Sequence, residues 1–151
     1  MKKLTLLLFI FCFLFVAAKA SPPARERVDE TIELPGQIVN PGKAIDLSVG
    51  VDLPEKYKFT PGVPLSIRVK SDSGKEKWQK SVVEPAKNLP AQGKVGIDFS
   101  GSGELNVFLD IYFCEKKDQA LCYFKTIKLV QPIEIREGIS SSEIQIKYRV
   151  K

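Results

Sequence analysis

Two neighbouring runs of alternating apolar and polar residues lie between Leu105 and Ile135. Successive side chains of a β-strand point to opposite faces, so an apolar residue at every second position can bury one face of a sheet. This period, with many β-branched and aromatic residues, predicts strands rather than helices. The charged loop EKKDQAL separates the two runs and predicts a hairpin. The alternating apolar positions are Leu105, Val107, Leu109, Ile111 and Phe113 in the first run, and Ile127, Leu129 and Ile133 in the second.

The same alternation recurs along the chain, between turns rich in Gly, Pro, Asn and Ser. We expect further strands at residues 32–34, 44–53, 65–69, 77–83, 95–99 and 144–150, turns at 40–42, 71–74, 101–103 and 138–142, and a long loop at 84–94. Seven or eight short strands with turns between them predict an all-β sandwich, and one-sided alternation is typical of antiparallel sheets. Tyr57 and Phe59 are expected to close one end of the core. Trp78 is expected between the sheets, with a surface anchor as the alternative.

The first 20 residues have the pattern of a cleaved export signal. Lys2 and Lys3 precede an apolar run from Leu4 to Val16, and Ala18-Lys19-Ala20 forms the cleavage site. The apolar run is short for a membrane span, and no later stretch approaches about 18 apolar residues. We therefore expect a signal at 1–20, a flexible leader at 21–31 and one domain at 32–151, in the periplasm or secreted. A retained N-terminal anchor is the alternative.

Charge argues against a nucleic-acid partner. The predicted signal contains three of the 23 Lys and Arg residues and none of the 18 acidic ones, so 23 − 3 = 20 basic residues remain against 18 acidic ones. The mature net charge is therefore about +2, and no basic block with interleaved aromatic residues is present.

The chain has three cysteines and no histidine. The lack of histidine excludes Ser-His-Asp and Cys-His catalytic arrangements and removes the commonest zinc ligand. Cys12 would leave with the signal, so Cys114 and Cys122 remain, one on each side of the hairpin loop. An even pair at short spacing in an exported protein predicts one disulfide. We expect no metal or cofactor.

Three stretches carry a resemblance to a known module: VDLPEKYKFTPGVPLSIRV, LNVFLDIYFCEKKDQALCYFKTIKLVQPIEI and the final EIQIKYRV. Together they resemble the C-terminal β-domain of proteins that join a thioredoxin-like domain to an NHL-repeat propeller. More distantly, they are similar to the N-terminal periplasmic domain of DsbD-type thiol:disulfide interchange proteins. That resemblance implies an immunoglobulin-like sandwich, a redox-active pair at Cys114 and Cys122, an aromatic residue, Tyr123, after the second cysteine, and a thioredoxin-like partner.

The sequence departs from the DsbD-type pattern in two ways. The seven-residue spacing between Cys114 and Cys122 is longer than in that family. Residues 84–94, the expected equivalent of its aromatic-bearing cap loop, contain no aromatic residue.

Two functions follow as alternatives. In the first, Cys114 and Cys122 exchange disulfides with a partner, which requires an exposed sulfur and a stabilised thiolate. In the second, the chain is a non-catalytic binding or scaffold domain and the disulfide only closes a hairpin, contributing roughly 2.5 kcal/mol.

Several residues near the cysteines are candidates for supporting roles. Tyr112 should share the face of Cys114, opposite Phe113, and together with Tyr123 is a candidate for partner binding; an ordinary cross-strand aromatic pair is the alternative. Asp110 is either a proton acceptor or a marker of the wetter face. The nearby charges are Lys116, Lys117 and Lys125, which favour a thiolate, and Glu115 and Asp118, which oppose it.

Overall fold

A computed structural model describes residues 27–40 and 44–151. The predicted export signal (1–20), the first six residues of the predicted leader (21–26) and the end of the predicted turn at 40–42 lie outside the described residues. Within the described ranges, no helix is long and apolar enough to span a membrane.

The described chain forms ten strands and one helical turn, so the predicted all-β sandwich is confirmed. The elements are β1 (Glu30–Glu33), β2 (Gln37–Val39), β3 (Ala44–Asp52), β4 (Tyr57–Phe59), β5 (Leu65–Ser71), β6 (Glu76–Val82), α1 (Pro85–Asn88), β7 (Ala91–Gly96), β8 (Ser102–Glu115), β9 (Cys122–Ile135) and β10 (Glu143–Arg149). The two strands beyond the predicted seven or eight are β2 and β4, each only three residues long. Tyr57 and Phe59 lie in β4, and both pack against the core.

The strands form two mixed sheets. The large sheet has the order β1-β9-β8-β5-β6, with β2 also on β9 and β4 also on β8, and the small sheet has the order β10-β3-β7. Pairing is antiparallel at the centre of the large sheet and between β3 and β7, as expected. It is parallel for β1 and β2 on β9 and for β10 on β3, which corrects the purely antiparallel prediction. These partners are far apart in sequence, so no hairpin turn fixes their direction. The immunoglobulin-like topology stays a prediction.

The core lies between the two sheets and is built from the alternating apolar residues. The terminal strand β10 shows this directly, because its residues are alternately buried and exposed along its whole length. The largest fully buried side chains are Phe113, Ile45, Leu47, Leu65, Ile67, Leu105, Leu109, Ile111, Ile127, Leu129, Ile144 and Ile146. The hairpin β8–β9 supplies many of these buried side chains, and β8 is the central strand of the large sheet.

The segment predicted as a long loop, residues 84–94, instead contains α1 and the first four of the six residues of β7, so the strand predicted at 95–99 begins earlier and ends at Gly96. Pro85 occupies the start of the helical turn, where the missing N–H of proline leaves no bond unmade. Gly93 in β7 lies against the Trp78 ring of β6, so Trp78 packs where the two sheets approach each other. The first strand also begins earlier than expected, at Glu30, within the segment predicted as leader.

Candidate functional site

The predicted disulfide lies at the loop end of the hairpin β8–β9. Cys114 and Cys122 are directly opposite each other in the strand register, with a Cα–Cα distance of 4.0 Å and an S–S distance of 2.07 Å. The Glu115 N–H donates to the Leu121 carbonyl at 3.0 Å, which makes Glu115–Leu121 a hydrogen-bonded pair. The adjacent cysteine pair is then a non-hydrogen-bonded one, the position at which opposite side chains come closest.

The two cysteines differ in exposure. Cys114 is only 5% exposed, whereas Cys122 lies at the solvent-exposed start of β9. Exchange requires a sulfur that an incoming thiolate can reach in line with the S–S bond. Cys122 is therefore the residue of the bridge that is open to solvent, and Cys114 is the covered one.

The buried cysteine is covered from the side of β4. Lys58 is directly opposite Cys114 in the β4–β8 register, so both side chains lie on the outer face of the large sheet. Thr60 follows β4 and continues the ladder, since its N–H donates to the Tyr112 carbonyl at 3.1 Å. Its hydroxyl Oγ1 lies 3.3 Å from the Cys114 Sγ. Neither Lys58 nor Thr60 was among the residues predicted near the cysteines, because β4 is remote in sequence.

Tyr112 lies on the disulfide face, as expected. It is opposite Phe124 in the register, and the two ring centroids are 4.5 Å apart. Both side chains remain accessible, Tyr112 at 39% and Phe124 at 50%, and Leu121 in the loop is also exposed. The outer face next to the disulfide is therefore aromatic and partly open to solvent.

Tyr123, the second predicted binding residue, lies on the other face of the sheet. Its ring stacks on Phe113 at 5.3 Å, it meets the Tyr57 ring edge-on at 5.8 Å, and its hydroxyl donates to Glu115 Oε1 at 3.4 Å. Burial, followed by the negative charge of Glu115, raises the pKa of the Tyr123 phenol. Tyr123 thus packs against aromatic residues at one end of the core. The aromatic residue of β9 that lies on the same face as the disulfide is Phe124.

Phe124 could have been found from the sequence. In an antiparallel pair the numbers of opposite residues have a constant sum, so pairing Cys114 with Cys122 places Tyr112 opposite Phe124. Sequence resemblance directed attention to the residue immediately after the second cysteine instead.

Two of the lysines predicted near the cysteines, Lys117 and Lys125, do not lie beside the disulfide. Lys117 forms an ion pair with Glu115 at 2.5 Å, and this contact holds the pKa of the Glu115 carboxyl below its usual value. Lys125 is opposite Ile111, on the face away from the disulfide. Lys117 is thus paired with Glu115, and Lys125 lies on the opposite face from the sulfurs. One lysine on the disulfide face is Lys58, which was not predicted.

Asp110 lies on the disulfide face but is engaged elsewhere. One carboxylate oxygen accepts from Arg68 at 2.9 Å and the other from the Thr126 hydroxyl at 2.8 Å. These contacts favour the interpretation of Asp110 as part of the polar outer face rather than as a proton acceptor for a cysteine.

A metal centre finds no support in the described part of the chain, where no group of three or more His, Cys, Asp and Glu side chains could hold an ion. No protein-family model matches the sequence, and no curated protein is significantly similar to it.

Proposed function

We propose that this protein is an exported domain that exchanges disulfides, or relays electrons, through Cys114 and Cys122 with a thioredoxin-like partner. The observation that carries the proposal is the difference between the two cysteines: Cys122 is exposed, while Cys114 is buried beside a hydroxyl and a lysine. An exposed cysteine bonded to a covered one gives an incoming thiolate one sulfur to attack and leaves the other as the leaving group. The exposed aromatic pair on the same face gives a protein partner a surface beside the reacting atoms.

The proposed exchange consists of two displacements. A thiolate of the partner attacks the Cys122 Sγ, forming a mixed disulfide while the Cys114–Cys122 bond breaks and its electron pair stays on Cys114 as a thiolate. The second thiolate of the partner then attacks the partner's own sulfur and releases Cys122. The partner's dithiol loses two electrons and becomes a disulfide, and the pair of this protein gains them. The same steps in reverse oxidise the pair.

The partner, the fold family and the cellular location belong to the same proposal. The resemblance to DsbD-type N-terminal domains supports the redox role of the pair, a thioredoxin-like partner and an immunoglobulin-like sandwich. A disulfide is typical of proteins in oxidising compartments, which agrees with a cleaved signal at 1–20 and a periplasmic or secreted location.

A second function, a non-catalytic scaffold, is favoured by one observation. The bridge joins the tips of the two longest strands, β8 and β9, each of 14 residues. Closing this short loop restricts the unfolded chain and would stabilise the fold by roughly 2.5 kcal/mol without any redox role.

The reduction potential of the bridge separates the two functions. The full chain with Cys12→Ser, so that only two cysteines report, is equilibrated with glutathione buffers, and the free thiols are trapped and counted. We expect a value between about −120 and −270 mV, the range of known oxidoreductases. A value below about −300 mV would identify a structural bridge and end the redox proposal.

Trapping of the mixed disulfide tests the roles of the two sulfurs. With Cys114→Ser the accessible Cys122 remains, and we expect its thiolate to attack a thioredoxin-like protein whose single remaining cysteine is carried as a mixed disulfide with thionitrobenzoate, which releases thionitrobenzoate and leaves a stable disulfide between the two proteins. The matched control is Cys122→Ser, which leaves the buried Cys114 and should form this adduct at least about tenfold more slowly. Equal adduct formation by both variants would contradict the assignment, and no adduct with either would contradict the partner.

A further inference from the structure

The contact between Thr60 and Cys114 assigns a role to a residue outside the cysteine pair. Thr60 Oγ1 is 3.3 Å from Cys114 Sγ. A disulfide sulfur carries no proton, so in this contact the hydroxyl must be the donor. Thr60 is itself held in place, since its N–H donates to the Tyr112 carbonyl and its own carbonyl accepts from the Val63 N–H at 3.3 Å. A donor is therefore already directed at this sulfur before any exchange occurs.

We infer that Thr60 is a positioning residue whose hydroxyl stabilises the Cys114 thiolate released when the disulfide is attacked at Cys122. The inference rests on the proposed function and identifies which of the two sulfurs leaves. A hydrogen bond to a neutral disulfide sulfur is weak, whereas one to a thiolate is charge-assisted and much stronger. The contact thus becomes stronger as negative charge develops on Cys114, which is the condition for lowering the barrier.

Burial of Cys114 makes this donor necessary. At 5% exposure, water reaches the residue poorly, and desolvation alone disfavours a thiolate. An exposed cysteine such as Cys122 obtains its hydrogen bonds from solvent, but Cys114 has to obtain them from the protein. Thr60 supplies one, and Lys58 is the positively charged residue directly opposite Cys114 in the strand register.

The other ionisable groups around Cys114 do not replace this contribution. Glu115 next to it in β8 is paired with Lys117, and Asp110 farther along the same face is held by its own ion pair. The titratable groups of the outer face that lie nearest Cys114 in the strand register are Lys58 from β4, Asp110 and Tyr112 from β8, Cys122 from β9, and Lys116 with Lys56 just beyond β8 and β4. Farther along the same face lie Arg68, Lys70 and Lys128.

The inference is tested by removing the hydroxyl while keeping the shape of the side chain. In the full chain with Cys12→Ser, the pKa of the Cys114 thiol is measured in the reduced protein from the ¹³Cβ shift of labelled cysteine, and the rate of reduction of the oxidised protein by dithiothreitol is measured separately. We expect Thr60→Val to raise the Cys114 pKa by about one unit and to slow reduction about threefold. Thr60→Ser, which retains the hydroxyl, should remain close to the parent in both measurements.

Thr31→Val is the matched control, because Thr31 is an exposed threonine of the large sheet on β1, opposite Lys128. It should change neither the Cys114 pKa nor the reduction rate. The inference is overturned if Thr60→Val leaves the Cys114 pKa at the parent value, or if Thr60→Ser shifts it as far as Thr60→Val does.

The outcome is separable from that of the proposed function. If the parent disulfide resists reduction by oxidoreductase-range buffers while Thr60→Val still raises the Cys114 pKa, the redox function fails and the role of Thr60 stands. If the parent exchanges readily and the pKa does not respond to Thr60→Val, the function stands and the role of Thr60 is wrong.

Discussion

Tyr112 and Phe124 form the aromatic pair that lies beside the disulfide on the outer face. Their centroid distance of 4.5 Å is within the range of favourable ring contacts, yet each ring is more than a third exposed. Opposite residues of an antiparallel pair stabilise a sheet by their mutual contact, so the pair has a structural role whether or not a partner binds. The size of that role can be measured independently of any redox chemistry.

A double-mutant cycle isolates the contact. We expect Tyr112→Ala and Phe124→Ala each to lower the free energy of unfolding, and the double variant to lose about 0.5–1 kcal/mol less than the sum of the two. Urea unfolding of the four proteins provides the values. The control cycle combines Tyr112→Ala with Ile38→Ala, an exposed apolar residue on β2, and should be additive. An additive Tyr112–Phe124 cycle would show that the two rings do not stabilise each other.

At the scale of elements, the packing of β6 against β7 depends on one glycine. A Cβ atom at Gly93 would lie 2.3 Å from the Trp78 indole ring, far inside any tolerated contact. Lys77 of β6 also pairs with Asp98, just beyond β7, at 2.5 Å. The absence of a side chain at Gly93 therefore lets the edge strands of the two sheets approach each other through Trp78.

Gly93→Ala should destabilise the fold by about 1–3 kcal/mol, because the indole ring has to move out of its packed position. The matched control is Gly96→Ala on the same strand, where a Cβ would meet nothing within 4 Å. It should leave the free energy of unfolding unchanged or raise it by up to about 1 kcal/mol.

The cause is checked in a second background. With Trp78→Ala already present, Gly93→Ala should have little further effect on the free energy of unfolding, since the clash is gone. If Gly93→Ala costs the same with and without the indole ring, the proposed clash is not the reason for the loss.

Strands with a clear alternation of apolar and polar residues could be predicted from the sequence. Strands that form only because a strand distant in sequence pairs with them could not. The β8–β9 hairpin and its disulfide follow from local period and a short loop, so both could be predicted. The three-residue strands β2 and β4 are too short to show a period of their own. They pair with β9 where it extends beyond β1 and with β8 where it extends beyond β5. The neighbours of Cys114 were missed for the same reason, since Thr60 is 54 residues away and only the β4–β8 pairing joins them.

At the scale of the whole molecule, polar contacts join the two sheets along the side formed by β1, β2 and β10. The Gln37 side chain of β2 behaves like a peptide group towards Gln145 of β10, donating to its carbonyl at 3.1 Å and accepting from its N–H at 3.4 Å. Gln37 also donates to the buried Gln131 at 3.0 Å. Farther along, the Tyr148 hydroxyl of β10 donates to Glu30 Oε2 of β1 at 3.1 Å. The apolar core is thus bordered by hydrogen bonds that fix how the sheets meet.

The contribution of Tyr148 to the stability of the fold depends on pH. Burial, with the charge of Glu30 and the hydrogen bond to it, raises the pKa of the Tyr148 phenol from 10.0 to about 12. Above about pH 10 the unfolded chain releases this proton while the folded protein still holds it, so the unfolded state is favoured as pH rises. The contribution of Tyr148 to stability is therefore complete below about pH 10 and is lost between about pH 10 and 12.

Replacing Tyr148 by phenylalanine removes both the hydrogen bond and the titrating proton. We expect Tyr148→Phe to lower the free energy of unfolding by about 1 kcal/mol at neutral pH. Its loss of stability between about pH 10 and 12 should also be smaller than that of the parent. Urea unfolding across this range gives the stability, and tyrosinate absorbance should lose its last-titrating component. Tyr148→Phe is compared with Tyr112→Phe, which removes a phenol from the exposed outer face. If the free energy of unfolding falls equally steeply between about pH 10 and 12 in both variants, the contact between Tyr148 and Glu30 is not the cause of the loss of stability at high pH.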